Sequence, residues 1–112
     1  MKIAIPVVNG KLNMHFGHCA SFTIVDVDVK TKEVLNTISV DAPPHEPGLL
    51  PRWLGEKNVD VIIAGGMGQR AQRLFADNYI TVLVGAASET VDKLVEDYLN
   101  ERLVTGVNLC DH

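Results

Sequence analysis

The amino-acid sequence predicts an α/β fold with a five-stranded mixed sheet, in the strand order 3-2-1-4-5, and with helices on both faces. Three observations lead to this prediction. Residues 3–8 and, apart from Asp60, residues 59–64 are apolar runs typical of strands that are covered on both faces. Residues 22–28 and 34–40 are rich in β-branched side chains. After residue 47, segments with helical spacing alternate with strands.

The first three strands are predicted to form an antiparallel meander. The polar turn Lys30-Thr31-Lys32 separates the second strand from the third and is typical of a hairpin connection. Hairpin connections require antiparallel pairing. The apolar first strand is therefore placed in the interior of the sheet, and the third strand at an edge.

The second half is predicted to supply three helices and two parallel strands. Leu50 and Leu54 keep helical spacing in the first helix, where Pro51 is tolerable because it lies in the first turn. The second helix is marked by Ala71, Leu74 and Phe75, and residues 80–84 form the fifth strand.

The third helix is predicted to begin at Ser88, which can cap it, with Glu89 favourably placed at the positive end of the helix dipole. Its buried stripe is Val91, Leu94, Val95, Tyr98 and Leu99. Strand–helix–strand crossovers require parallel pairing, so the sheet is mixed.

Composition limits the function classes. The 112 residues fit a single domain spanning 1–112, and 46% hydrophobic with 21% charged residues is typical of a globular chain. The net charge is −4 and the basic residues are scattered, which argues against nucleic-acid binding. Neither a membrane span nor a signal peptide is recognisable, so we expect a cytoplasmic protein with free thiols and no membrane contact.

Histidines accompany both cysteines of the sequence. Two imidazoles and a thiol fall within His15-Phe16-Gly17-His18-Cys19, and the chain ends on Cys110-Asp111-His112. Thiolate and imidazole are the ligand set for zinc, copper and iron–sulfur species. The predicted metal ligands are His15, His18, Cys19, Cys110 and His112.

A glycine-rich loop follows the fourth strand and is predicted to face the first of these motifs. Ligands of open α/β sheets collect beyond the carboxyl ends of the strands, here between strands one and four. The loop consists of Gly65, Gly66, Met67 and Gly68. Its glycines let the backbone approach a ligand, and the N–H groups of the following helix favour an anion such as a metal–sulfur cluster. Met67 can touch a metal or simply pack.

The same residues also have structural interpretations that the sequence leaves open. The histidines can be ordinary loop residues: His15, His18 and His45. Cys19 alone can be a small buried hydrophobe, and Cys110 with His112 can belong to a frayed tail. The glycine loop can be only a tight turn between strand and helix.

Two binding functions fit these motifs, and an enzyme is not expected. The first is binding of a metal–sulfur cluster. The protein would act as a monomer, or as a homodimer that shares the cluster, because two thiols are few for one chain. The alternative is a mononuclear Zn²⁺ or Cu⁺ site. The Cys–His pair lacks a visible orienting group, the first strand has no carboxylate for nuclease chemistry, and no lysine follows the glycine loop as in a phosphate-binding loop.

Several stretches together resemble the dinitrogenase iron–molybdenum cofactor biosynthesis family. They are an opening strand with an Asn-containing turn, His15-Phe16-Gly17-His18-Cys19 with Phe22, Pro47-Gly48-Leu49-Leu50, Val61-Ile62-Ile63-Ala64-Gly65-Gly66-Met67-Gly68, and Gly106-Val107-Asn108 leading to Cys110. The resemblance implies a ribonuclease H-like three-layer fold and binding of an iron–sulfur or iron–molybdenum type cluster without substrate turnover. It also implies that the protein is a carrier of this cluster, with cluster donor and acceptor proteins as partners. Some relatives hold a mixed molybdenum–copper sulfide cluster. The candidate cluster ligands that the resemblance indicates are His15, His18, Cys19, Met67 and Cys110.

Overall fold

The structure is a computed structural model that describes residues 1–14, 16, 21–43 and 48–105. Within these residues the elements are β1 (Lys2–Val8), β2 (Lys11–Leu12), β3 (Ser21–Asp28), β4 (Glu33–Asp41), α1 (Leu49–Glu56), β5 (Val61–Ile63), α2 (Gln69–Asp77), β6 (Thr81–Leu83) and α3 (Val91–Leu99). None of the helices in this described part is long and apolar enough to cross a membrane.

The strands form one mixed sheet whose main path has the order β4-β3-β1-β5-β6. β3 pairs antiparallel with both β1 and β4, whereas β5 pairs parallel with both β1 and β6. The predicted order is confirmed, since β1, β3, β4, β5 and β6 are the five strands expected from the sequence. β1 lies at the centre of the sheet, where Ile3, Ala4 and Ile5 are completely buried.

The predicted count of five strands is wrong, because the described sheet contains a sixth strand, β2. This strand pairs antiparallel with the end of β1 and places Leu12 opposite Val7. Asn9 and Gly10 connect the two strands with φ values of 53° and 79°. Two successive positive φ values are typical of the tight type I′ turn of β-hairpins. The hairpin turns the chain back along β1 before it reaches the histidine-rich motif.

The helices pack on both faces of the sheet. Ile3 and Ile5 of β1 join the apolar cluster beneath α3. Ala4, between them, belongs to the cluster beneath α1 and α2, because successive strand residues point to opposite faces. The buried helix residues include Leu54 of α1, Phe75 of α2 and Leu94 of α3. Both clusters are apolar, and no polar or charged side chain of the described residues is buried.

The start of α3 differs from the prediction. Thr90, rather than Ser88, caps the helix, and Asp92 is the acidic residue of its first turn. The Ser88 hydroxyl instead donates to the carbonyl of Leu12 at 3.0 Å, and the carbonyl of Glu89 accepts the N–H of Leu12 at 2.9 Å. Ser88 and Glu89 therefore pair with β2, and the helix begins only beyond them.

All three helices end in the same motif. In α2 the N–H of Tyr79 donates to the carbonyl of Ala76, and the N–H of Ile80 donates to the carbonyl of Phe75, both at 3.0 Å. This pair of bonds is the Schellman motif, which requires a left-handed residue after the helix. The left-handed residues are Asn58, Tyr79 and Glu101, with φ of 62°, 61° and 59°. None of them is glycine, and because Asn tolerates this conformation, the backbone strain falls on Tyr79 and Glu101.

Candidate functional site

The candidate site lies at the edge of the sheet where β1, β4, β5 and β6 end. These four strands run in one direction, because β1, β5 and β6 are parallel and β1 and β4 are each antiparallel to β3. The described residues of the connections at this edge include 13, 14, 16, 42, 43, 48, 64–68 and 84–90. In open α/β sheets this carboxyl edge is where ligands bind. Among the predicted site residues that the structure describes, Gly65, Gly66, Met67 and Gly68 fall in these connections.

Met14 packs against Gly65, the first residue of the glycine-rich turn. A Cβ atom built at position 65 would lie 2.7 Å from Met14 Sδ, 2.8 Å from its Cε and 3.1 Å from its Cα. A side chain at position 65 would force Met14 to shift, so the close packing here favours glycine. Met14, which immediately precedes His15 in the sequence, therefore lies against the turn after β5. The prediction that the whole histidine-rich motif faces this turn stays a prediction.

The loop after β6 holds both sides of this contact through backbone hydrogen bonds. The N–H of Gly85 donates to the carbonyl of Gly65 at 2.9 Å. The N–H of Leu12, just before the histidine-rich motif, donates to the carbonyl of Glu89 at 2.9 Å. The loop after β6 is thus hydrogen-bonded both to the glycine-rich turn and to the hairpin that precedes the histidine-rich motif.

The glycine-rich turn is largely buried. Gly65 and Gly66 are buried, and Gly68 is half-buried and immediately precedes α2. Met67 is only 2% exposed, and its side chain belongs to the core cluster beneath α1 and α2. The carbonyl of Met67 accepts the side-chain N–H of Gln72 at 2.8 Å. The structure shows the packing role of Met67, and its contact with a metal stays a prediction.

The N-termini of α1 and α2 lie at this edge and have no side-chain caps. α1 begins after Gly48 and α2 after Gly68, and neither has an acidic residue in its first turn. α3 differs, since Thr90 caps it and Asp92 lies in its first turn. Uncapped N–H groups and the positive ends of the helix dipoles favour an anion. The described part of the edge is therefore suited to a negatively charged ligand.

Phe16 anchors the histidine-rich segment in the core. Its side chain is 6% exposed, and its ring centroid lies 5.8 Å from that of Phe22 and 5.5 Å from that of Phe75. Both contacts are edge-to-face, a favourable geometry for aromatic pairs. The segment is thereby tied to β3 on one side and to α2 on the other.

The predicted metal ligands all lie outside the described residues. They are His15, His18, Cys19, Cys110 and His112, and His45 lies outside as well. In the described ranges, no three His, Cys, Asp or Glu side chains are grouped so that they could hold a metal ion. The ligand roles of these residues stay predictions.

These features define an α/β protein with a mixed sheet and a candidate binding site on the loops at its carboxyl edge. The family model for the dinitrogenase iron-molybdenum cofactor matches residues 1–101, and the chain belongs to this family.

Known proteins resemble this chain over nearly its whole length. The uncharacterized protein MJ0580 of Methanocaldococcus jannaschii is 27% identical over 106 residues, which span 92% of this chain and 89% of the relative. The crystal structure of PH0822 has a TM-score of 0.86 and 25% identity, covering 94% of each chain. The apo form of the orange protein (ORP) from Desulfovibrio gigas has a TM-score of 0.72 at 22% identity, covering 96% of this chain and 93% of that one. The last similarity is one of fold.

Proposed function

We propose that the protein binds a metal–sulfur cluster, of the iron–sulfur or iron–molybdenum type, and carries it between other proteins without converting a substrate. The contact of Met14 with Gly65 is the observation that carries the proposal, because it places the segment that enters the His15 motif against the glycine turn. Membership in the dinitrogenase iron-molybdenum cofactor family supports this kind of cargo. The ribonuclease H-like classification of the fold belongs to the same proposal.

The donor chemistry suits such a cargo. We expect the thiolate of Cys19 and the imidazoles of His15 and His18 to hold the metal, and Cys110 with His112 to add donors from the C-terminal end. A metal cluster that bears both thiolate and sulfide ligands carries net negative charge, which the N-termini of α1 and α2 would stabilise. Backbone N–H groups of the glycine turn would hydrogen-bond its sulfides.

The location of the site on loops suits transfer rather than permanent storage. A structural metal site is closed by four protein ligands, whereas a carrier has to release its cargo. The partners would be cluster donor and acceptor proteins. We expect the protein to act in the cytoplasm as a monomer or as a homodimer. Nucleic acids and membranes are not expected as partners.

Anaerobic reconstitution tests the binding. The protein is incubated with iron and sulfide, or with molybdate and sulfide, and then desalted. We expect charge-transfer absorbance, with metal and acid-labile sulfide in fixed ratio to protein, and a sharp loss of both in Cys19→Ser. Cys110→Ser serves as the matched control, because it removes the other thiol and shows whether the C-terminal cysteine is needed.

Two results would contradict the proposal. One is a colourless protein free of metal after both treatments. The other is a stoichiometric zinc or copper ion without sulfide, which would assign the mononuclear site instead. Carriage is tested by adding a strong chelator to the loaded, folded protein. A cluster that leaves only when the protein unfolds would be a resident cofactor and not cargo.

A further inference from the structure

β4 is the outermost strand at one end of the described sheet, and its outer edge is open. The strand has 9 residues, and all of them except Val40 are exposed. The exposed residues include the apolar side chains of Val34, Leu35 and Ile38, which are 54%, 59% and 45% exposed. N–H and C=O groups along an open edge can pair with a strand of another chain. β4 therefore offers both backbone groups and apolar side chains to a partner.

Only the first part of β4 carries a feature that hinders such pairing. The register between β4 and β3 skips Leu35, so the strand has a bulge there. A bulge twists an edge strand and protects it from further pairing. Residues 36–41 pair regularly with β3, contain neither proline nor lysine, and have Asp41 at their end as the one charged residue. This second part of the strand is thus left open to pairing.

Ile38 lies in this second part, at the end of a row of apolar side chains. Ala4 of β1 pairs with Ile24 of β3, and Ile24 pairs with Ile38. Ala4 and Ile24 are 0% and 4% exposed in the cluster beneath α1 and α2, whereas Ile38 is 45% exposed. An apolar side chain from another strand, placed beside Ile38, would complete the burial of this row.

A second copy of the chain can provide that strand within a closed, symmetric contact. A two-fold axis perpendicular to the sheet pairs β4 antiparallel with its copy and uses both open edges at once. Side chains that lie opposite each other in such a pair must share a face of the sheet. One residue of β4 therefore has to lie opposite itself, beside the axis.

The side chains of β4 favour Ile38 as the residue beside the axis. With Thr37 there, Glu33 would lie opposite Asp41, and the two carboxylates would repel each other. With Ile38 there, the two isoleucines meet and Thr37 lies opposite Ser39. The paired residues 36–40 then carry no charge.

We propose that β4 pairs antiparallel with β4 of a second copy of this chain, with Ile38 beside the two-fold axis. The pairing joins two sheets into one continuous sheet and covers Ile38 of each copy. The axis reverses the strand direction, so the two carboxyl edges point in opposite directions. Each copy therefore keeps its own candidate site, and this dimer does not share a metal–sulfur cluster. The inference goes beyond the proposed function and does not depend on it.

Sedimentation velocity of the metal-free protein tests the dimer. An interface of one strand is small, so we expect the dimer fraction to rise with protein concentration. Ile38→Lys should weaken the dimer by about tenfold or more, because it places two like charges opposite each other and removes the apolar contact. Val104→Lys is the matched control, since it adds a lysine at a position that is 78% exposed beyond α3, and it should dimerise like the unmodified protein.

Two results of this experiment would overturn the inference. One is an unmodified protein that stays monomeric at every concentration. The other is an Ile38→Lys variant that dimerises as tightly as the unmodified protein.

Cysteine cross-linking tests the register. A single cysteine is placed at position 37, 38 or 39 in a background of Cys19→Ser and Cys110→Ser, and disulfide formation is followed under a mild thiol oxidant. Ile38→Cys should form the covalent dimer fastest, because its Cβ atom lies beside that of its own copy. Thr37→Cys and Ser39→Cys lie opposite each other's positions and not opposite their own. If either of them cross-links faster than Ile38→Cys, the axis is not at Ile38 and the proposed register is wrong.

Loading with metal and sulfide separates this inference from the proposed function. A dimer that appears only after loading, and is lost in Cys19→Ser, is held by a shared cluster. That result overturns the pairing through β4 and leaves the proposed function standing. A metal-free dimer that is weakened by Ile38→Lys but takes up neither metal nor sulfide supports the pairing and overturns the proposed function.

Discussion

The ring of Phe16 stands edge-on to the ring of Phe75, with centroids 5.5 Å apart and an interplanar angle of 81°. Phe75 belongs to α2, the helix that follows the glycine turn. The segment after β2 thus contacts the glycine turn through Met14 and Gly65, and the helix after that turn through Phe16 and Phe75. An aromatic pair of this geometry contributes about 0.5–1.5 kcal/mol beyond the burial of its area.

Phe16→Ala should lower the free energy of unfolding by about 3 kcal/mol, because a large buried ring is replaced by a cavity. Urea unfolding followed by circular dichroism measures the change. Leu94→Ala is the matched control, since Leu94 is 2% exposed in the cluster on the other face of the sheet. At a temperature where both variants are folded, cluster loading should fall in Phe16→Ala only. Equal loading by the two variants would mean that the aromatic anchor does not position the site.

Gly65→Ala should destabilise the protein by about 1–3 kcal/mol, because the added methyl group would overlap the side chain of Met14. The double variant with Met14→Ala should recover part of this loss, since the nearest atoms, Sδ and Cε, are then removed. Recovery should be incomplete, because the Met14 Cα remains 3.1 Å from the new methyl position. Additive losses in the double-mutant cycle would show that the two residues are not in contact.

Tyr79→Gly should raise the free energy of unfolding by about 1 kcal/mol, because Tyr79 adopts a φ of 61° that glycine tolerates without strain. The ring is 94% exposed, so little packing is lost. For a domain of this size the melting temperature should rise by roughly 4 °C. Tyr79→Ala keeps the strain and should give no such rise. A rise of the same size in both variants would contradict the explanation by backbone strain.

Thr90→Ala should cost about 1 kcal/mol of stability, because the hydroxyl of Thr90 accepts a backbone N–H in the first turn of α3. Thermal unfolding measures the loss, and Thr90→Ser should retain most of the cap. If Thr90→Ser is as unstable as Thr90→Ala, the side-chain oxygen does not cap the helix.

The sequence predicts the strand order correctly because the apolar run of β1 requires partners on both edges and covered faces on both sides. β2 was not predicted because it has only two residues, and a strand of this length shows no hydrophobic periodicity. Its signal is nevertheless present, since Asn9-Gly10 is a strong indication of a hairpin turn.

Features that depend on contacts between distant segments could not be predicted. Ser88 and Thr90 are both good capping residues, and the choice is made by the pairing of Ser88 with Leu12, far away in the chain. Strand order likewise indicates which loops share an edge, but it does not show that Met14 fills the space beside Gly65. The position of Met14 directly before His15 is the one sequence signal that points to it.

The central position of β1 has a consequence for synthesis on the ribosome. β1 can pair with β3 once residue 28 has emerged, whereas its other partner, β5, ends at Ile63. At a translation rate of about 5–20 residues per second, the intervening 35 or so residues take roughly 2–7 s to add. During that interval the edge of β1 that later pairs with β5 is unpaired. The apolar faces of the first strands also lack the helices that later cover them. Newborn chains of this protein are therefore expected to be substrates for chaperones that bind at the ribosomal exit tunnel.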